Sequence, residues 1–123
     1  MEYQNYTLLF IDDEPEFLDV GKKYFEKKGF KVLTALSGTE GIEIFKASGV
    51  DLIVLDLKMP DLPGTVTLKK IREIDKSVKV LILTGFGKSS DIKECSELGI
   101  TDFISKPFML STLLKIIEEA LGR

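Results

Sequence analysis

Residues 52–55, Leu-Ile-Val-Leu, form an unbroken apolar run that is β-branched in its middle, and an acid, Asp56, follows at once. An apolar run without polar alternation belongs in a strand buried on both faces, as inside a parallel sheet. A parallel sheet requires long crossover connections, and that requirement limits what the rest of the chain can build. The segment after Asp56, with Met59-Pro60 and Pro63-Gly64, has the chemistry of a turn and ends the strand. A carboxylate at the carboxyl end of such a strand stands where open α/β sheets bind their ligands. As a lone acid it serves equally well as a strand stop or a helix cap.

The crossovers are legible on both sides of this run. Residues 6–11 (YTLLFI), 30–35 (FKVLTA), 78–83 (VKVLIL) and 100–105 (ITDFIS) read as four more strands, with 30–35 alternating enough for an edge. Apolar residues recur at helical spacing between them. The first helix carries Phe17, Val20, Gly21, Tyr24 and Phe25; the second Ile42, Ile44 and Phe45; the third runs from about 65 to 74. The fourth carries Ile92, Cys95 and Leu98, with Cys95 as a core thiol, and the fifth Leu110, Leu113, Leu114, Ile117 and Leu121. Asp13 is expected to cap the first helix, with Pro15 in its first turn and Gly29 just past its end. Ser37 and Glu40 have capping-box spacing for the second, and residues 1–5 are expected to be a loose lead-in. The alternation gives one α/β domain over residues 1–123, a doubly wound five-stranded parallel sheet with helices on both faces.

Composition excludes several function classes. The net charge of −3 is spread over both signs without a basic block, so direct nucleic-acid binding by this domain is not expected. No apolar run approaches the ~20 residues of a bilayer span, and the N-terminus lacks a signal-peptide pattern, so the expected location is cytoplasmic. The single Cys excludes an internal disulfide, and the absence of His excludes Ser-His-Asp and Cys-His catalysis and His-ligated zinc. Any phosphohistidine chemistry needs a histidine from a partner.

The ends of the strands form a pattern. They carry Asp12 and Asp13 after the first, Asp56 after the third, Thr84 after the fourth and Lys106 after the fifth. In a doubly wound sheet these ends share one edge, with a crevice where the strand order reverses. Each residue alone has an ordinary structural use. An acid pair, an acid, a hydroxyl and a lysine, in that order at successive strand ends, are much harder to attribute to chance.

On these residues the chain resembles the receiver domains of bacterial two-component response regulators, the CheY-like proteins, over nearly its whole length. The matching segments are FIDDEP (10–15), DLIVLDLKMPDLPG (51–64), LILTGF (81–86) and DFISKPF (102–108). The resemblance implies strand order 2-1-3-4-5, flavodoxin-like in topology. It implies that Asp56 is the phosphoacceptor, that Asp12 and Asp13 serve a divalent metal, and that Lys106 contacts the phosphoryl group. It also implies that Thr84 and Phe103 are switch residues and that Lys106-Pro107 is a cis peptide. The donor would be a histidine kinase, a histidine phosphotransfer protein or a small molecule such as acetyl phosphate. The output would be a changed face built from the fourth helix, fifth strand and fifth helix, read by a downstream protein or a fused output domain. The domain would be a monomer or a phosphorylation-dependent homodimer. It would be no enzyme beyond catalysing its own phosphorylation and slow autodephosphorylation.

The chemistry of the residues agrees with those roles. Converging carboxylates repel one another unless a cation joins them, and oxygen donors without His or thiolate favour a hard ion, Mg²⁺ or alternatively Mn²⁺. Asp13, Asp56 and the main-chain carbonyl of Lys58 are expected to bind it directly, and Asp12 through water. A divalent cation and Lys106 then neutralise the three acids. Pro63 replaces the small polar residue expected before Gly64 and stiffens the loop. A bulky ring at Phe86, two residues beyond Thr84, would hinder an attacking water and lengthen the life of a phosphoryl-aspartate. A phosphatase of the haloacid-dehalogenase type needs a second Asp two residues after the nucleophile, where this chain has Lys58. A flavodoxin-like electron carrier needs a Ser/Thr-rich loop where it has Asp12-Asp13-Glu14. The segment GFGK (85–88) lacks full P-loop spacing. A pseudo-receiver that binds partners without phosphorylation would not need the whole set of acids, hydroxyl and lysine.

Overall fold

The computed structural model describes residues 3–85 and 89–122, apart from the side chains of Ser89 and Ser90. Among them, strands β1 (Thr7–Ile11), β2 (Lys31–Ala35), β3 (Leu52–Asp56), β4 (Lys79–Thr84) and β5 (Asp102–Ser105) alternate with helices. The helices are α1 (Pro15–Lys27), α2 (Gly38–Ala47), α3 (Gly64–Ile74), α4 (Ser89–Leu98) and α5 (Leu110–Ala120). All strand pairs are parallel and the sheet order is β2-β1-β3-β4-β5. No described helix is long and apolar enough to cross a membrane.

Burial explains why the apolar runs differ. Every residue of β3 is buried, because it lies between β1 and β4 and under helices on both faces. Strand β2 pairs only with β1, and its Lys31 faces solvent. Alternate residues of the strands feed two cores. On one face Leu8, Phe10, Leu52, Val54, Leu81 and Leu83 pack with Leu18 and Phe25 of α1 and with Leu113 and Ile117 of α5. On the other, Leu9, Ile11, Ile53, Leu55, Val80 and Ile82 pack with Phe45 of α2, Leu68 and Ile71 of α3 and Cys95 of α4. The chain leaves β1 for its outer neighbour β2, then returns past β1 to β3. The crevice at the carboxyl ends of β1 and β3 is therefore the switch point of the sheet.

Local structure departs from the sequence expectation at four places. Tyr3 is not part of a loose lead-in: its ring stacks on Phe30 at 4.5 Å and its hydroxyl donates to Glu118 of α5. A single aromatic residue near a terminus carries no periodicity, so nothing in the pattern announces this anchor. Val20 does not face the core but is 55% exposed. The buried stripe of α1 runs through Leu18, Gly21 and Phe25 instead. Gly21 lets the helix sit close, since a Cβ there would lie 3.1 Å from the Phe10 ring. The cap of α1 is Glu14, not Asp13, and its side chain makes no capping bond. Finally, Ser37 caps α2 by accepting from Glu40 N–H, but the Glu40 carboxylate reaches back to Leu36 N–H.

If Tyr3 ties the N-terminus to β2 and α5, Tyr3→Ala should destabilise the protein by about 2 kcal/mol in urea unfolding, and Tyr3→Phe by less. A loss below about 0.5 kcal/mol for Tyr3→Ala would mean the residue is ordinary surface.

Candidate functional site

Two aspartates come together at the switch point. The Asp12 N–H donates to the Ala35 carbonyl at 3.0 Å, which continues the β1–β2 ladder and draws the carboxyl group under the surface, where it has no solvent exposure. Asp56 ends β3 and is also buried. Each carboxylate accepts from the N–H two residues on, Asp12 from Glu14 at 3.0 Å and Asp56 from Lys58 at 3.1 Å. These Asx turns fix one oxygen of each group and hold the other in place.

Lys106 reaches those second oxygens. The Lys106 N–H donates to the Thr84 carbonyl at 2.8 Å, and the Lys106-Pro107 peptide is cis. Its Nζ lies 3.0 Å from Asp56 Oδ2, 3.3 Å from Asp12 Oδ2 and 3.1 Å from Glu14 Oε1. An ammonium has three protons, and each has a carboxylate here. Burial disfavours the ammonium. The hydrogen bond to Asp56 and the charges of Asp12 and Asp56 outweigh that, so Lys106 holds its proton well above the usual lysine range. Asp12 is pushed up to about 6, first by its burial and then by the charge of Asp56, against the pull of Glu14 N–H and Lys106.

Carboxylate oxygens of Asp12, Asp13, Glu14 and Asp56 all lie within 4.8 Å of one another. A cluster that offers only carboxylate oxygens, without His or thiolate, could hold a hard divalent cation. Asp13, Glu14, Asp56, Lys58, Gly85 and Lys106 line an open pocket of about 310 Å³ over it. Glu14 was not singled out by sequence reasoning; its only signal was its position directly after the acid pair. Among the described residues it adds a fourth carboxylate to the cluster, one that also contacts Lys106.

The loop after Asp56 is held at both ends. Asp61, also missed in the sequence, accepts from Gly38 N–H at 3.2 Å, Thr39 N–H at 3.1 Å and the Thr39 hydroxyl at 2.6 Å. The Thr39 hydroxyl first, and then those amides, hold Asp61 below the usual carboxylate range. At the other end Gly64 N–H donates to the Leu57 carbonyl at 2.9 Å. A Cβ on Gly64 would come within 2.5 Å of Leu57 Cα and 2.8 Å of the Asp56 carbonyl, so only glycine permits this approach.

Thr84 ends β4, buried, and pairs with Ser105; Phe103 pairs with Ile82 and is half-buried against the core that contains Cys95. Residues 82, 84, 103 and 105 have the same parity in this register, so Thr84 and Phe103 share a face of the sheet. Phe86 lies outside the described residues, as does most of GFGK.

The order of the sheet and the acid-lined pocket at its switch point define a doubly wound α/β domain with a cluster of carboxylates at the carboxyl ends of its strands. Residues 8–118 match the family model of the response regulator receiver domain. The chain belongs to that family, and is a receiver domain of the response regulators, a signalling domain. It is 30% identical over 118 residues to chemotaxis protein CheY of Bacillus subtilis, covering 95% of this chain and 98% of that one. It is 31% identical over 121 residues to the transcriptional regulatory protein GlrR of Escherichia coli, covering 98% of this chain but spanning only 27% of that protein. A CheY-like receiver domain structure from Methanospirillum hungatei superposes with a TM-score of 0.93 at 28% identity, covering 95% of this chain and 94% of that one. The structure of a CheX–CheY–BeF₃–Mg²⁺ complex from Borrelia burgdorferi matches at 0.88 and 27% identity, covering 96% and 90%.

The raised Asp12 pKa has a consequence for stability without metal. Between the unfolded value near 3.8 and about 6, the folded protein holds a proton that the unfolded chain has lost. Stability from this group is therefore greatest at low pH and falls as pH rises through that window. In chelator, Asp12→Asn should remove about 2 kcal/mol of the decline between pH 4 and 7, measured by urea unfolding at both pH values. Parallel pH profiles for the two proteins would contradict the raised pKa.

Proposed function

We propose that this domain, comprising residues 1–123, takes a phosphoryl group onto Asp56 from a phosphohistidine on a partner histidine kinase or histidine phosphotransfer protein. The observation that carries the reading is the Asp56 carboxylate at the floor of an open pocket, 3.0 Å from the Lys106 ammonium. A carboxylate oxygen of Asp56 attacks phosphorus; the new O–P bond forms as the P–N bond to the partner's imidazole breaks, and the departing nitrogen takes a proton from water. With acetyl phosphate the O–P bond to acetate breaks instead.

The work of the chain in this step is positioning and charge. Lys58 N–H orients Asp56 from one side. Lys106 follows the charge from the carboxylates to a phosphoryl oxygen. Asp12, Asp13, Asp56 and the main-chain carbonyl of Lys58 would hold Mg²⁺ or Mn²⁺, with Glu14 beside them. Such a cation supplies neutralisation of the acids and of the phosphoryl oxygens. The Borrelia relative, whose complex includes BeF₃ and Mg²⁺, supports that assignment by analogy.

The phosphoryl group adds roughly −1.5 to −2 charge and three acceptor oxygens. Thr84 donates its hydroxyl to one of them and draws in the loop after β4. Phe103 turns into the space that Thr84 leaves, which their shared face of the sheet allows. The α4-β5-α5 face then shifts between two packings and selects a downstream protein or a fused output domain. The domain works in the cytoplasm as a monomer or a phosphorylation-dependent homodimer, and its only chemistry is its own phosphorylation and slow autodephosphorylation.

Intact-mass analysis after acetyl phosphate and Mg²⁺ should show one added phosphoryl group on the wild type. None should appear on Asp56→Asn or in chelator. Equal modification of Asp56→Asn would sink the assignment. In thermal melts, millimolar Mg²⁺ should stabilise the wild type, while Asp13→Asn, relieved of one repelling charge, should melt no lower in chelator and respond little to the metal.

A further inference from the structure

We propose that Glu14 is a positioning residue: it holds the Lys106 ammonium in reserve, gives it up when a phosphoryl group enters, and by its own charge slows the entry of anionic donors. The inference rests on Asp56 being the phosphoacceptor. Its basis is the unequal environment of the three carboxylates on Lys106. The side chains of Asp12 and Asp56 are 0% and 8% exposed, whereas Glu14 is 63% exposed. If the ammonium left either aspartate, a buried carboxylate would lose its partner, which is costly. Glu14 can lose the contact and be solvated by water at little cost. Of the three bonds, the one to Glu14 is therefore the one that Lys106 exchanges for a phosphoryl oxygen.

The backbone holds Glu14 ready for that exchange. Its N–H donates to Asp12 Oδ1 and its carbonyl accepts from Leu18 N–H at 3.2 Å, so the residue is fixed from both sides. As the N-cap of α1 it could have turned its side chain to the helix, yet the carboxylate makes no capping bond and points to Lys106. It lines the acidic pocket and also an adjoining apolar groove of about 680 Å³ that includes Phe17, Val20 and Phe108. A donor that enters from either side passes its charge. Repulsion penalises a free dianionic phosphate, and Lys106 is available to that phosphate only after it leaves Glu14.

Glu14→Gln keeps the length and an acceptor oxygen but removes the charge. With saturating Mg²⁺ and low salt it should take up phosphoryl from acetyl phosphate about fivefold faster than wild type, as expected for one lost charge contact at the surface. The gain should shrink as salt screens the site. Inorganic phosphate should bind the variant about fivefold more tightly, read from the amide shifts of Gly85 and Lys106. Unchanged uptake and phosphate affinity would overturn the proposal. Slower uptake restored by additional Mg²⁺ would also overturn it, because Glu14 would then be a metal ligand. If the wild type itself gained no phosphoryl group, the acceptor reading would fail, and the phosphate-binding comparison would still decide the role of Glu14.

Discussion

The Lys106 ammonium joins three carboxylates at the carboxyl edge of this sheet. Lys106 lies within 3.3 Å of Asp12, Glu14 and Asp56, and two of those carboxylates are almost wholly removed from water. Burial first, and then the charge of Asp56, hold the Asp12 carboxyl above the usual carboxylate range even with the lysine in place. The cluster is thus a site short of positive charge. A cluster of oxygen donors of this kind could hold a hard divalent cation.

The fold supplies this arrangement through its strand order. Asp12 and Asp56 follow neighbouring strands, whose crossovers leave in opposite directions, so both carboxyl groups open into one crevice. Lys106 starts two strands away from Asp56, a distance of about 10 Å at the usual strand spacing, and its four-carbon stem spans the gap. Gly64 packs against the backbone of Asp56 and Leu57, and Asp61 ties the same loop to the first turn of α2. Asp56 therefore stands on a strand buried on both faces and is followed by a loop fixed at both ends.

How much of this was legible in the sequence depends on the range over which each interaction acts. The five strands and helices were readable because burial on two faces and burial on one leave different periods, 52–55 against Leu110, Leu113 and Ile117. Asp12, Asp13, Asp56, Thr84 and Lys106 were readable because topology alone places strand ends on one edge. Glu14 and Asp61 were not. Each sits beside a conspicuous motif in the chain, but its role is set by a partner 92 or 22 residues away. Tyr3, which pairs with Glu118 across 115 residues, escaped for the same reason. Val20 was misassigned because helical spacing defines a stripe without fixing how the helix is turned about its axis, and close approach at Gly21 turned it.

The central claim is that one lysine offsets the mutual repulsion of this acid cluster, a task that a divalent cation can share. The most direct measurement is the melting temperature of Lys106→Met against wild type, in chelator and again in saturating Mg²⁺. The account predicts that the variant melts several degrees lower in chelator, in keeping with about 2 kcal/mol for a partly buried pair, and that Mg²⁺ narrows the gap. Equal melting temperatures in chelator, or a gap that Mg²⁺ does not change, would contradict it.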